Sequence, residues 1–385
     1  MFNDMRILEL CGFSAGICGV FTRAREEAVR LKMKGHHVEI FSSNLVKGSN
    51  EIAKEDDKIE GIKIKRFPVA MPGKGKLWFV PGGESYMFWN YNKLWKEVKR
   101  FKPDIIITHT HRHTHSIFVS IMGRKIGAKT FLVTHAPFND DSRSIIAKLY
   151  IKFIDNLFVS KPSLKRFNRI IAITKWERPY LQELDVGNDK IEYIPNGVPE
   201  EFFSAKKGKE ENKILFLGRI SPIKDIETLI KAFYLIRDKE IKLEIVGPGE
   251  KEYLVKLKEL VNKLNIKSRV IFSPAIYDIK SKIAKIDSSK IFVLPSKREA
   301  MPQALIEVMA REKIVVASAN LGARDIIKDR KNGFLFEIGN ENALASLIDK
   351  LLGEKNEKVK KEARKSVEQF SWDKIISKIE RVIGS

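Results

Sequence analysis

Apolar residues in this chain fall into two kinds of run. Short β-branched stretches alternate with longer segments whose apolar positions recur at helical spacing, the signature of stacked βαβ units. In the first half the predicted strands are "RILEL", "HVEIFS", "IKIKRF", "DIIIT", "TFLVT" and "RIIAIT". The rhythm breaks at "IEYIPNGVPEEFFSAKKGKEEN", where an Asn-Gly turn, two prolines and a charged run predict a linker. A second series follows: "KILFLG", "KLEIVG", "RVIFS", "KIFVLP", "IVVAS" and "GFLF". Helices are expected between them at 225–237, 251–264 and 302–312. The chain closes with helical stretches at about 340–351, 355–368 and 373–383.

The pattern predicts an α/β protein of two doubly wound, Rossmann-like domains, one over residues 1–198 and one over 199–370. The last helix, about 371–385, is expected to pack back on the first. In such sheets ligands bind beyond the carboxyl ends of the strands, beside helix N-termini. Two such sheets are expected to face each other across a cleft, with the motifs below on one surface because each follows a strand.

One of these motifs is "KREAMPQALIEVMA", residues 297–310. Pro302 suits the first turn of a helix, and the run after it is apolar on nearly every side, as a buried helix is. Glu307 lies inside that helix and Glu299 on the turn before it. A buried carboxylate is costly unless paired, so the two are a structural salt bridge, an exposed edge of the helix, or a pair of acceptors for ligand hydroxyls. "KILFLGRISPIKD" ends a strand at Gly218 and then presents Arg219 and Lys224, with Asp225 placed to cap the next helix. Two cations at a helix start suit a diphosphate, Arg as a fork and Lys as a point charge; charges on a solvated loop are the plain alternative. "VGPGE" at 246–250 is another strand-to-helix turn. "SAGICGVFTRA" opens the first helix but has neither the G-x-G-x-x-G fingerprint nor a Walker A lysine, against a simple NAD enzyme or P-loop kinase.

Histidines form a further group. "THTHRHTHS" places His109, His111, His113 and His115 on alternate residues, and an extended segment would aim all four one way. No cysteine or carboxylate lies among them, whereas closed zinc sites usually draw on separated elements, so a polar cleft edge is expected and no metal. His135, in "FLVTHAPF", ends the next strand, where it is either a proton-handling group or a satisfied core histidine.

Composition narrows the partners. Hydrophobic residues at 43% and charged residues at 31% describe a globular chain with ample core. No apolar run approaches the ~20 residues needed to span a bilayer. The opening "MRILELCGFSAGICGVF" imitates a leader, but Glu9 interrupts it and a charged helix follows, so it is expected to be strand, loop and helix. Only Cys11 and Cys18 are present, which suits a reducing cytoplasm better than a disulfide framework. The net charge is +22 and is spread over both halves, which favours anionic partners such as nucleic acid, acidic lipid or phosphorylated ligands.

Taken together, the motifs resemble the retaining GT-B glycosyltransferases of the large family with an E-x7-E motif. "GHHVEIFS", "PDIIITH", "IPNGV", "LGRISPIKD", "VGPGE", "VLPSKREAMPQALIEVMA", "NGFLF" and "FSWDKI" occur in the expected order over nearly the whole chain. The resemblance implies an N-terminal acceptor domain and a C-terminal nucleotide-sugar domain. It implies that Glu307 accepts from ribose hydroxyls and Glu299 from the donor sugar. Arg219 and Lys224 would neutralise the leaving diphosphate, with backbone N–H groups of Met301 and Gln303. His135 would face the transferred sugar or acceptor, His109 would stand at the preceding strand end, and Gly19 would be the second glycine of the first loop. No metal or other cofactor is implied: the cations and a helix N-terminus would stabilise the developing charge. No carboxylate nucleophile is evident, which fits the front-face displacement proposed for the family. Cys18, Asp225, Pro274, Ala300, Pro302 and Ala323 stand where the family often has glycine, which affects the donor's base and sugar more than the reaction class.

Two other readings compete. A nucleotide-sugar 2-epimerase shares the architecture but needs no acceptor, and the E-x7-E and "GR…K" signatures oppose it. A basic nucleic-acid-binding protein would need cations interleaved with exposed aromatics on one element, so nucleic acid is not an expected partner. Residues 143–169 carry seven Lys/Arg against Asp155 alone, with Ile145, Ile146, Leu149, Phe153, Ile154, Leu157 and Phe158 at helical spacing. That is the pattern of a helix on an anionic membrane surface, and the nearby Trp78, Phe79, Tyr86, Phe88 and Trp89 would suit an interface. The expectation is a cytoplasmic enzyme, peripheral on the membrane, acting on a lipid-linked or glycan acceptor.

Overall fold

The computed structural model describes residues 4–16, 18–47, 51–70, 87–135, 153, 160–206 and 208–385. The chain divides into two compact units, residues 1–195 with 375–385, and residues 196–374.

The first unit is built on an eight-stranded sheet. Its strands are β1 (Arg6–Cys11), β2 (His37–Ser43), β3 (Asp56–Ile59), β4 (Ile62–Phe67), β5 (Ile105–His109), β6 (Lys129–Val133), β7 (Arg169–Ala172) and β8 (Ile191–Tyr193). Their order is β8-β7-β6-β5-β1-β2-β4-β3, parallel except for the antiparallel edge pair β3–β4. Central strands of a parallel sheet are covered on both faces, and Ile7, Leu8, Leu10, Ile107, Val133 and Ile170 are accordingly buried. Helix α1 (Gly19–Met33) buries Phe21, Ala24, Ala28 and Leu31, and helix α2 (Thr114–Lys125) follows β5. β8 forms from the start of the stretch that reads as linker. Its three residues pair with β7 through Ile170–Ile191, so the edge is claimed by hydrogen bonding before the prolines intervene.

The second unit has six parallel strands: β9 (Lys213–Leu217), β10 (Lys242–Val246), β11 (Val270–Ser273), β12 (Ile291–Leu294), β13 (Ile314–Ser318) and β14 (Phe334–Phe336). They lie in the order β11-β10-β9-β12-β13-β14. Helices α3 (Ile226–Leu235), α4 (Ile279–Asp287) and α5 (Gln303–Ala310) cover it. The closing helix α6 (Trp372–Gly384) begins in this unit and continues in the first. Ile375, Ile376, Ile379 and Ile383 are buried, Glu380 lies 3.5 Å from His36, and Lys129 Nζ donates to the Ser385 carbonyl at 2.6 Å.

Arg311, directly after α5, holds the connection into the second unit. Its fully buried guanidinium donates to both oxygens of Asp287 and to the carbonyls of Phe202, Ser204 and Lys206. Two of its five bonds meet the carboxylate, and three meet carbonyls that a segment without regular structure would otherwise bury unpaired.

Most of the basic segment 143–169, together with Trp78, Phe79 and Tyr86, lies outside the described residues. Phe153 is exposed and Phe88 half exposed. Trp89 differs from expectation: it is buried, with its ring centroid 5.9 Å from Phe67 and 5.3 Å from His115. It serves the core of the first unit rather than an interface.

Replacing Arg311 by Ala would leave buried Asp287 without its guanidinium, with the Gly208 N–H as its remaining hydrogen-bond donor among the described residues, and should cost about 3–5 kcal/mol. Urea unfolding monitored at the second unit checks this; a loss below about 1 kcal/mol would contradict the clamp.

Candidate active site

In each sheet the strand order reverses beside the first strand, and the loops on either side diverge there to leave a crevice at the carboxyl end. In the second unit the reversal falls between β9 and β12. Gly218 follows the end of β9 at Leu217, and Arg219 comes next, exposed and engaged by no carboxylate among the described residues. Gly247, at the end of β10, packs so closely on this turn that a Cβ would sit 1.9 Å from the Gly218 carbonyl oxygen. The backbones of Ile220 and the "VGPGE" turn then bond to each other, Ile220 N donating to Pro248 O and Glu250 N to Ile220 O.

Lys224 ends a short 3-10 turn and reaches across the crevice to Glu299, Nζ to Oε1 2.5 Å, while the Ser296 hydroxyl donates to the same oxygen at 2.6 Å. The Ser296 carbonyl is held in turn by the Ser318 hydroxyl and by Asn320 Nδ2. A Cβ on Gly322 would lie 2.4 Å from the Ala300 carbonyl, so that helix start must be bare for the Glu299 loop to lie against it. Asp225 occupies the left-handed region, φ 49°, where glycine is at ease. Its carboxylate does not cap backbone N–H groups as the sequence suggests; it accepts from the Thr228 hydroxyl at 2.8 Å.

Glu307 is buried on α5, and the Lys282 ammonium of α4 stands 2.5 Å from its Oε2. Gln303 Nε2 bonds both the Gly197 carbonyl, at 2.8 Å, and Glu307 Oε1, at 3.3 Å. Met301 is buried, and its sulfur accepts from the Asn196 N–H at 3.1 Å. Pro302 is the residue before the helix, with φ −73° and ψ 100°, rather than within its first turn. Each carboxylate of the E-x7-E pair is thus matched to a lysine. Lys282 and Ser296 carry no sequence signal beyond ordinary surface character, because the fold alone brings them to Glu307 and Glu299.

In the first unit the reversal falls between β1 and β5, and here the histidines meet. His109 ends β5, fully buried, with Nε2 2.7 Å from Glu9 Oε2 on β1 and Nδ1 2.9 Å from Nε2 of His135. His135 stands just after β6 with φ 54°. Glu27 and Arg23 of α1 complete the cluster, Arg23 Nε donating to Glu27 Oε1 at 2.6 Å. Burial pushes both carboxyls up, Glu9 the further, and pushes the His109 imidazole down to about 4. Glu9, Glu27 and His109 each offer an atom within 4.8 Å of the others. The Glu9–His109 contact is 2.7 Å, and the Arg23 guanidinium lies beside Glu27.

The other histidines do not align. Thr110 and Arg112 both take positive φ, 75° and 69°, so the chain coils instead of running extended. His113 precedes α2 and His115 lies on it, donating from Nε2 to the His109 carbonyl at 3.0 Å. His111 packs against Tyr180, ring centroids 6.1 Å apart. Gly19 is the first residue of α1, exposed, with open space where a Cβ would be. The two cysteines flanking its loop are free and buried.

Family comparisons identify the two halves of the chain. The profile of the family "Glycosyl transferases group 1" matches residues 198–366, and that of "Glycosyltransferase Family 4" matches residues 17–202. The chain belongs to the group 1 glycosyl transferases. The transferase is similar to alpha-monoglucosyldiacylglycerol synthase of Streptococcus pneumoniae, 23% identical over 87% of this chain and 76% of that one. It is also similar to UDP-Gal:alpha-D-GlcNAc-diphosphoundecaprenol alpha-1,3-galactosyltransferase of Escherichia coli, 29% identical over 69% and 70%. Its fold is GT-B and matches HepE of Anabaena, crystallised with UDP and glucose, with a TM-score of 0.74 and 16% identity over 99% and 100% of the two chains.

His115 offers a pH test of the buried histidines. Burial holds its imidazole down at about 4, against the ordinary 6.5. The unfolded chain therefore binds the proton first, and stability present above pH 6.5 is lost as pH falls toward 4. Over that window the wild type should lose thermal stability relative to His115→Phe, and parallel melting curves would contradict the assignment.

Proposed function

We propose that the transferase moves a hexosyl unit, with retention of configuration, from a nucleoside-diphosphate sugar to a hydroxyl of a lipid-linked acceptor. The observation that carries this is the pairing at the β9–β12 crevice. Lys224 and Arg219 stand at the end of one strand, Glu299 at the end of the next, and Glu307 one turn into the helix that follows. Cations there suit a diphosphate, and carboxylates suit sugar and ribose hydroxyls. The solved HepE complex, with UDP and glucose, supports a donor of this kind. The names of the pneumococcal and E. coli relatives, a synthase of alpha-monoglucosyldiacylglycerol and a galactosyltransferase to GlcNAc-diphosphoundecaprenol, support a lipid.

In this reading Arg219 and Lys224 take up charge as the diphosphate leaves, and Lys224, released from Glu299, turns to a phosphoryl oxygen. Glu299 is then free to accept from the sugar. Glu307, beside the Lys282 ammonium, accepts from the ribose hydroxyls, and the Met301 and Gln303 N–H groups contribute at the same helix start. Gly19 opens α1 to the phosphate. His135 handles the proton or hydroxyl on the acceptor side. The work is done by fixed charges, without a metal. A 2-epimerase would share the donor groups and differ in needing no acceptor.

A thermal-shift panel of UDP-, GDP- and ADP-sugars tests the donor class: a ligand at a hundred times its dissociation constant should add about 2.7 kcal/mol. Arg219→Ala and Lys224→Ala should each lower turnover by roughly 10²–10³ with the fold retained. Glu307→Ala should mainly weaken binding of the free nucleoside diphosphate. Near-normal turnover in both cation variants would remove the diphosphate assignment.

Activity should survive EDTA, and the protein should sediment with anionic but not neutral vesicles at low salt, since each basic residue near such a surface contributes about 1 kcal/mol. Loss of activity on chelation, restored by a divalent ion, would overturn metal independence. Failure to bind either vesicle, with efficient use of a soluble sugar, would overturn the lipid acceptor.

A further inference from the structure

The buried cluster behind His135 holds one charge too few. Glu9 and Glu27 are both fully buried, and among the described residues the guanidinium or ammonium facing them is that of Arg23. Arg23 is already committed to Glu27, Nε to Oε1 2.6 Å, and to the Ile194 carbonyl at 3.1 Å. A second buried carboxylate with no cation of its own is expensive, and the usual outcome is that it keeps its proton. Glu9 is that carboxyl. Its Oε1 has no hydrogen-bond partner among the described residues, which costs less for the carbonyl oxygen of an acid than for a carboxylate oxygen.

We propose that Glu9 and His109 are positioning residues: Glu9, as the acid, donates to Nε2 of His109, which donates from Nδ1 to Nε2 of His135, so that the His135 ring carries its proton on Nδ1. The two contacts, 2.7 Å and 2.9 Å, are both short enough for this, and each leaves the next ring one choice of tautomer. His109 is neutral in the chain, as its strongly lowered basicity agrees. The strained backbone of His135, φ 54°, is the sort of conformation that persists where surroundings over-determine it. An Nδ1–H is a donor, suited to holding an oxygen of the transferred sugar or acceptor; the proposal rests on the reading of His135 as a group of the transfer site.

The chain also has a second state. Loss of the Glu9 proton reverses both hydrogen bonds and makes Nδ1 of His135 an acceptor. The groups that set when this happens face it from three elements: Cys11 on β1, Arg23 and Glu27 on α1, and His115 on α2. Cys11 in turn faces Cys18 and Arg66.

Nitrogen NMR of the full chain labelled with ¹⁵N-histidine reads the tautomers directly, without any ligand. His135 should show a protonated Nδ1 and an unprotonated Nε2 at neutral pH, and the pattern should invert at alkaline pH. Glu9→Leu removes the donor and should average the two nitrogens. Its turnover of the nucleotide sugar that stabilises the protein most among UDP-glucose, GDP-mannose and ADP-glucose should fall by about 10²-fold. Glu9→Gln, whose amide N–H replaces the acid O–H, should restore most of that turnover and abolish the alkaline inversion. A wild-type His135 protonated on Nε2, or ring signals in Glu9→Gln that invert like the wild type's, would overturn the proposal even if Glu9→Leu does not fold. Full turnover in His135→Ala would instead overturn the transfer role of His135, while the ring signals report the chain by themselves.

Discussion

Parallel strands are joined by right-handed crossovers, and a sheet that grows first to one side of its opening strand and then to the other must send adjacent loops apart. Both sheets here do this, beside β1 and beside β9. The candidate site groups among the described residues gather around those two partings. Glu9 and His109 meet at the first although they are a hundred residues apart, and Lys224 and Glu299 meet at the second across seventy-five. Other strand orders would leave the same residues on loops that never meet.

The partings also decide where buried charge is tolerated. Glu299 and Glu307 each have a lysine, so their geometry is set by salt links with further hydrogen bonds from Ser296 and Gln303. The first unit uses a different solution, in which Arg23 balances Glu27 and the remaining carboxyl is left to share a proton with an imidazole. One arrangement presents fixed charge, suited to phosphates and hydroxyls; the other presents a proton that is held but transferable. Arg311 belongs to neither, yet it satisfies the carbonyls of residues 202–206 that lead the chain into β9, and so fixes where that sheet begins.

Most of the architecture was legible in the residues. Strands covered on both faces must be apolar throughout, so "DIIIT" and "KILFLG" could scarcely be anything else, and the charged faces of the helices between them supply the opposite signal. The E-x7-E pair, Arg219 and Lys224 were visible because they lie within single turns next to such strands. Asp225 was visible as a cap and proved otherwise, since its backbone takes the left-handed conformation that the turn after Lys224 requires. The alternating histidines misled for a related reason: alternation implies one face only if the segment is extended, and two positive-φ residues ended that.

By itself, then, the sequence determined the two α/β domains, the order of their strands along the chain, and the acidic and basic residues of the second crevice. These follow from patterns that are local, because burial and helical spacing act over a few neighbouring residues. Only the tertiary structure decided which charges face which. The sequence shows Glu9 merely as an interruption in an apolar strand and Lys282 as one lysine among many on a basic chain. Their partners were chosen by strand order and helix packing, which bring distant segments within a few ångströms, and at that range burial turns an ordinary side chain into an ion pair or a shared proton.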